Sequence, residues 1–490
     1  MNILDLSILI LFLLGTIWIG LRGRAKSGSL KDYFLGGRQL PWWALSLSLV
    51  ATETSTLTFL GIPSLSYTGD FSFLSLAMGY ILGRILSAIF ILPQFANGEF
   101  ISIYQWVGLK FGKSSQQSLS LLFSTIRILA DGVRLYITSI PLSLLLQSIF
   151  PEDFSFFQIS LISLGILSII TVVYSAYGGF RAVVWTDFLQ FFVYTLGAIG
   201  ILVLLTYDYG NIFQESVIPS EKFQVFHFSY YTYDGKIDAY FFPFAILGGI
   251  LLSLGSHGVD QMLVQRVLAC KSLRESRMAL ILSGFLVFFQ FLVFLLIGSY
   301  LTIAIPESKD PSQVFSEYIL SRLPSPFLGI VLAGVFASSM STLSSTLNSL
   351  SLTVRIDLKW KILEKISPTF LTIFWGLVLY WTSILPFYLG ETLKANLVEI
   401  GLTIASYIFG PMIGLFFLEI LGLSEWEKKK QNPFHFPLIL LLSTLTVLVL
   451  QIQFRFPFTW IIGLGIFVFY TFYFSVFFLF KILVLVRREP

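Results

Sequence analysis

Ser48–Asp70 reads SLVATETSTLTFLGIPSLSYTGD. The apolar run that contains it starts at Trp42 and is long enough to cross a membrane, yet Glu53 sits in its middle among threonines. A carboxylate at that depth is costly unless it faces water, a partner or a ligand. Gly61 and Pro63 follow and interrupt the helical pattern. A second run with the same weakness is FFPFAILGGILLSLGSHGVDQ, Phe241–Gln261, with Gly248, Gly249, Gly255 and Gly258. Glycines in either run also let helices pack closely. Their joint occurrence, with an acid beside one of them, favours a site.

The two runs belong to a series of apolar segments that fills the chain. Thirteen spans are expected, at 3–21, 42–68, 71–96, 116–149, 157–177, 183–206, 240–265, 278–304, 326–354, 367–390, 395–421, 435–453 and 457–480. The fourth is too long for one upright crossing and must tilt or extend beyond the bilayer. The interrupted runs are the second and seventh, five apart, so they cross in opposite directions. Discontinuous helices at matching positions of two inverted halves mark a transporter site near the midplane. The expected fold is therefore an all-α polytopic membrane protein of about 13 transmembrane helices. It has an inverted five-plus-five repeat (the LeuT type) with spans 2 and 7 discontinuous. One membrane domain is expected over 1–490. A first helix and loop occupy 1–40, the first repeat 41–206, the second 240–421, and two additional helices 435–490.

The composition agrees. The chain of 490 residues is 56% hydrophobic and only 12% charged, with mean hydropathy +0.84, against about 25% charged residues in soluble chains. A single cysteine, Cys270, leaves neither a disulfide framework nor a cysteine cluster, and three scattered histidines suggest no metal site. The net charge of +4 is a matter of loop placement, not nucleic-acid affinity. Of the 31 Lys and Arg, 22 fall on one set of loops and 6 on the other, with Arg84, Arg127 and Arg134 inside spans. By the positive-inside rule the N-terminus lies outside and the C-terminus in the cytoplasm. Asp5 precedes the first apolar run and Arg22 and Arg24 follow it, the reverse of a signal peptide, so the first helix is retained.

The ninth span ends in SSMSTLSSTLNSLS, Ser338–Ser351, nine of whose fourteen residues carry hydroxyls. Ser338, Ser341, Thr342, Ser345 and Ser349 share one helix face. Such hydroxyls either line close helix contacts and bond back to carbonyls, or serve as oxygen ligands to a hard cation. Arg127, Asp131 and Arg134 also share a face, where the aspartate can pair with either arginine. Arg84 has no evident partner; Glu53 or an anionic solute would suit it.

Four motifs in order resemble the sodium:solute symporter family, which includes sodium/glucose, sodium/proline and sodium/sialic acid transporters. They are DYFLGGRQLPWWALSLSLVATETSTLTFLG (32–61), YSAYGGFRAVVWTDFLQ (174–190), DQMLVQRVLACKS (260–272) and MSTLSSTLNS (340–349). The resemblance implies a sodium site made by the carbonyls of Ala51, Thr54 and Ser338 and the hydroxyls of Ser341 and Thr342. It implies a second sodium at Asp187, Ser341, Ser344 and Ser345, although Asp187 also suits the start of the sixth span as an ordinary acid. Substrate positions transfer less well: Thr52, Thr58, Ser253 and Ser256 stand where sugar-transporting relatives contact sugar. Ser256 replaces their gate tyrosine, which weakens a sugar reading. Glu53 stands where a proline-transporting relative keeps an aspartate, and Arg84 joins the candidate substrate set.

The function so implied is sodium-coupled symport of a small organic solute by alternating access, with one or two Na+ as the only cofactor and no catalytic residues. The location is the plasma membrane (the inner membrane in a bacterium). Its partners are the solute and the bilayer, with no nucleic acid and no obligate protein. A proton-coupled or sodium-independent carrier on the same fold is the alternative. A transporter-like receptor lacks a fused signalling domain here, and a membrane enzyme lacks a catalytic cluster.

Overall fold

A computed structural model describes residues 2–23, 29–96, 98–149, 154–214, 218–232, 235–308, 310–358, 365–389, 397–423 and 435–486. Arg24, Lys26, Lys309, Lys359, Lys361, Lys394, Lys428, Lys429, Lys430, Arg487 and Arg488, which enter the charge count, lie outside these residues, as does the junction of the tenth and eleventh spans.

Among the described residues ten helices are long and apolar enough to cross a membrane, or eleven when the bent pair Trp42–Glu53 and Thr56–Thr68 counts as one span. Two further crossings complete the expected thirteen. Phe156–Tyr209 is one 54-residue element only nominally, because Gly179 leaves the helical region (φ 61, ψ −159) and divides the fifth span from the sixth. Only glycine adopts that conformation without strain, and a Cβ there would also meet the Tyr33 carbonyl at 2.9 Å. Lys113–Ile149, the fourth span, runs 37 residues, or about 55 Å at 1.5 Å per residue, so it extends past a hydrocarbon core of about 30 Å.

The second span breaks at Thr54 and Ser55, not at Gly61 and Pro63. Its two halves meet at 65°, and both glycine and proline lie within the continuous helix Thr56–Thr68. The eighth span, Leu273–Ala304, approaches the helix closely at Pro63. A Cβ on Gly298 would lie 2.0 Å from the Pro63 carbonyl, and Ser66 donates to Leu295 O at 2.6 Å. In the seventh span Gly248 and Gly249 also lie within a helix, Phe242–Leu254. They serve packing: a Cβ on Gly249 would sit 2.2 Å from Leu76 O of the third span. The break comes later, as a π turn over Gly255–Val259 and an extended Asp260 (φ −84, ψ 122). Asp260 then caps Gln261–Leu268 by accepting from Met262 N.

The pairing of spans follows the inverted repeat. The second packs on the eighth and the third on the seventh; a shift of five spans exchanges these pairs. The ninth span, Phe327–Leu352, packs on the fifth and sixth and is the most enclosed, with 89% of its apolar window buried.

The loop 211–241 holds the far end of the second span. Lys222 caps that helix by donating to Ser66 O (3.2 Å) and Tyr67 O (2.7 Å). His227 lies between two carboxylates, with Nδ1 2.7 Å from Asp238 and Nε2 2.7 Å from Asp70. Both ring nitrogens face acceptors, so the imidazolium fits. The bonds to Asp238 and Asp70 push the His227 pKa up to about 10. A raised pKa stabilises the folded state below the unfolded value, about 6.5, and the contribution is lost as pH rises through 10. His227→Gln is expected to lower Tm by roughly 2–5 °C at pH 7. The gap from wild type should close above pH 10 in a thermal-unfolding series; a gap that persists there would contradict the ionic clamp.

Candidate functional site

The break frees backbone acceptors. Thr54 N donates to Val50 O at 2.9 Å, but Ser55 N turns to Glu53 O instead of Ala51 O. Ala51 O therefore loses its helical donor. The ninth span lies opposite. Thr342 donates to Thr52 O at 3.1 Å and to Ser338 O at 3.2 Å. Thr52 and Ser345 hydroxyls are 3.0 Å apart, and the Thr56 hydroxyl is 3.2 Å from that of Ser338. Ala51, Thr54, Ser338, Ser341 and Thr342 are all buried. The structure thus brings together the two segments from which the expected sodium set is drawn. Three carbonyls and two hydroxyls make a neutral, hard oxygen set of the kind sodium takes, so the residues fit that ion. Other hydroxyls of the same helix bond back to carbonyls: Ser349 to Thr346 O (3.0 Å) and Ser351 to Leu347 O (2.7 Å). Back-bonding also engages Ser338, to Val335 O (2.8 Å), and Ser345, to Ser341 O (2.8 Å), so that reading of the serine-rich stretch holds along its length.

The second expected set meets a partner that the sequence hid, Arg266. Asp187 is fully buried and lies within the sixth span, eight residues past Gly179, so it is not a helix-start acid. It accepts from Ser341 at 2.7 Å and from Ser48. Arg266 Nη2 lies 3.2 Å from it and also donates to Ser345. The same guanidinium donates to Ser48 Oγ (2.9 Å) and Met262 O (2.7 Å). Ser344 donates to Ser341 O at 3.0 Å. Charge counting assigns Arg266 to a loop, but it belongs to Gln261–Leu268, every residue of which is buried. That helix enters the interior, where its arginine supplies the positive charge Asp187 needs.

A cavity of about 110 Å³ opens beside the break, room for several waters at about 10–15 Å³ each. Thr52, Glu53, Thr58 and Ser256 line it, as do Arg127 and Arg134. Arg84 does not; it is fully buried behind Glu53, pairs with it, and donates to Ser283 at 2.7 Å. Ser253 is also buried away from the cavity, near the backbone of Gly83. His257, set aside as a scattered residue, comes to 3.6 Å from Glu53 through the π turn and lies 2.8 Å from Ser256 Oγ. On the fourth span Asp131 pairs with Arg134 at 2.6 Å and accepts from Thr346. Arg127 instead pairs with Asp260 at the seventh-span break. The acids of these two pairs are almost wholly enclosed, with side chains 2% and 3% exposed. Both arginines line the cavity, while Arg134 Nε is itself buried and has no hydrogen-bond partner among the described residues.

Residues 33–423 match the sequence profile of the sodium:solute symporter family. The sodium/sialic acid symporter NanT of Aliivibrio fischeri is 27% identical over 425 residues, covering 82% of this chain and 80% of that protein. The human sodium/iodide cotransporter is 28% identical over 421 residues, 82% of this chain and 62% of that protein. A solved substrate-bound, outward-open Na+-coupled sialic acid symporter superposes with a TM-score of 0.79 at 22% identity, covering 96% of this chain and 97% of that one. At that identity the likeness establishes the fold.

Removing one member of a buried ion pair strands the other, at a cost of about 3–5 kcal/mol, whereas removing both is far milder. Arg84→Met is therefore expected to destabilise strongly in thermal unfolding, and Glu53→Gln/Arg84→Met to recover most of the loss. A double variant no better than Arg84→Met would show that the pair does not act as a unit.

Proposed function

From its place in the sodium:solute symporter family, to which the chain belongs, we propose that it couples sodium entry to uptake of a small organic anion by alternating access. The observation that carries the sodium reading is the meeting of the broken second span with Ser338 and Thr342, with Ser341 on the same helix between them. Ala51 and Thr54 would give carbonyls, Ser338 a third, and Ser341 and Thr342 their hydroxyls. Sodium supplies the charge and the driving force: each ion moving down 100 mV releases about 2.3 kcal/mol.

We read one sodium. Arg266 already compensates Asp187 and bonds Ser345, so a second ion at Asp187, Ser341, Ser344 and Ser345 would have to displace it.

The anion reading rests on Arg127 and Arg134, which both line the cavity. Their acids are enclosed behind them. Glu53, also in the lining, accepts donors, so the solute pairs a negative group with hydroxyl or amino groups. The names of two relatives, for sialic acid and iodide, are both those of anions. Thr52, Thr58 and Ser256 would bound the solute, while Arg84 holds Glu53 from behind. A proton-coupled carrier using Glu53 is disfavoured, because Arg84 already answers its charge.

The excess of Lys and Arg on one set of loops supports an N-terminus outside and a cytoplasmic C-terminus, in the plasma membrane or a bacterial inner membrane. The single domain over 1–490, with repeats at 41–206 and 240–421, is part of the same reading.

Proteoliposomes given a panel of labelled carboxylates, sialic acid included, are expected to concentrate at least one when sodium is outside, and none when choline replaces it. Thr342→Ala should raise the sodium concentration for half-maximal uptake about tenfold or more, the loss of a hydrogen-bonding ligand to a charge at about 1.5–3 kcal/mol. Uptake indifferent to sodium would overturn the proposal. Unchanged sodium dependence in Thr342→Ala would overturn the site.

A further inference from the structure

Outside the central site the molecule carries a groove of about 650 Å³ between the start of the second span and the start of the eighth. Trp42 forms one wall. The other is a single face of Leu273–Ala304, where Arg274, Arg277, Met278, Ile281 and Phe285 follow helical spacing. Met278 and Phe285 are 37% and 45% exposed. The groove is basic at one end and apolar along the rest.

The arginines set the groove apart from ordinary lipid-facing surface. No hydrogen bond or ion pair engages Arg274 among the described residues, and Arg277 spends only its Nε, on Ala88 O at 2.9 Å. The nearest acid in sequence, Glu275, accepts instead from Lys271 N at 3.3 Å. Unneutralised guanidiniums at the end of an apolar channel call for an anion that carries hydrocarbon. The dimensions agree. From Arg274 to Phe285 is about 16 Å along the helix at 1.5 Å per residue, close to half of a core of about 30 Å. A headgroup at the arginines would place an acyl chain along Ile281 and Phe285 within one leaflet. Trp42 stands where interfacial tryptophans concentrate, and arginine forks suit phosphate oxygens.

We propose that this groove is a specific site for an anionic phospholipid, its phosphate held by Arg274 and Arg277 and one acyl chain seated against Met278, Ile281 and Phe285. Trp42 opens the half-helix that ends at Glu53, so the lipid touches the element that carries the break.

The test titrates the purified full-length chain in detergent with dioleoyl phosphatidylglycerol, dioleoyl phosphatidylcholine and chain-free glycerol phosphate, read by native mass spectrometry. Phosphatidylglycerol is expected to bind at least tenfold tighter than either of the others. Each surface arginine contributes about 1 kcal/mol toward an anionic lipid. Arg274→Gln and Arg277→Gln should therefore each weaken phosphatidylglycerol about fivefold, and together about 25-fold, leaving phosphatidylcholine unchanged. Ile281→Trp, which fills the groove without touching its charge, should weaken phosphatidylglycerol as well. Arg274 is exposed and its substitution alone is informative if the double variant does not fold. Equal binding of the two lipids, a preference that survives Arg274→Gln unchanged, or glycerol phosphate binding as tightly as the lipid would each overturn the proposal.

Discussion

A helix cannot simply stop inside a bilayer. Each carbonyl freed at the Thr54–Ser55 break would cost several kcal/mol facing hydrocarbon. The rest of the structure answers that constraint. The serine-rich ninth span sits at the centre of the molecule because it supplies hydroxyls to the freed backbone, as Thr342 does for Thr52. A cation suits a place where several carbonyls and hydroxyls converge, here with the Asp187 carboxylate held on Ser341 and answered by Arg266. In the proposed function, the break that weakens the helix is also what would supply the carbonyls for the ion.

Charges buried around the break obey a related rule. Glu53 with Arg84, Asp260 with Arg127, and Asp187 with Arg266 each join different spans. Such pairs offset desolvation more than they stabilise. Their value is geometric. Arg84 orients Glu53 at the cavity, Asp260 ties the seventh-span break to the fourth span, and Arg266 fixes the helix after that break against the sixth span.

How much of this could be read in advance follows from the range of each interaction. The helical class, the pairing of two interrupted spans and the hydroxyl face of the ninth depend on local pattern, and the sequence carries them. The position of the second-span break does not. Pro63 is a stronger local signal than Thr54, yet the helix runs on through it, while the partners of the true break come from nearly three hundred residues away. Arg266 was hidden for the same reason. Its segment follows a break and precedes a basic loop, and only the fold turns it inward to Asp187. His257 likewise gains meaning from the π turn that brings it to Glu53.

The central claim is that the broken second span and the ninth span together hold a sodium ion. Equilibrium binding of radioactive sodium to the purified chain, with unlabelled sodium and choline as competitors, tests it most directly. The account predicts saturable binding of one ion per chain, displaced by sodium and untouched by choline. Binding that does not saturate, that choline displaces equally, or that reaches two ions per chain would contradict it.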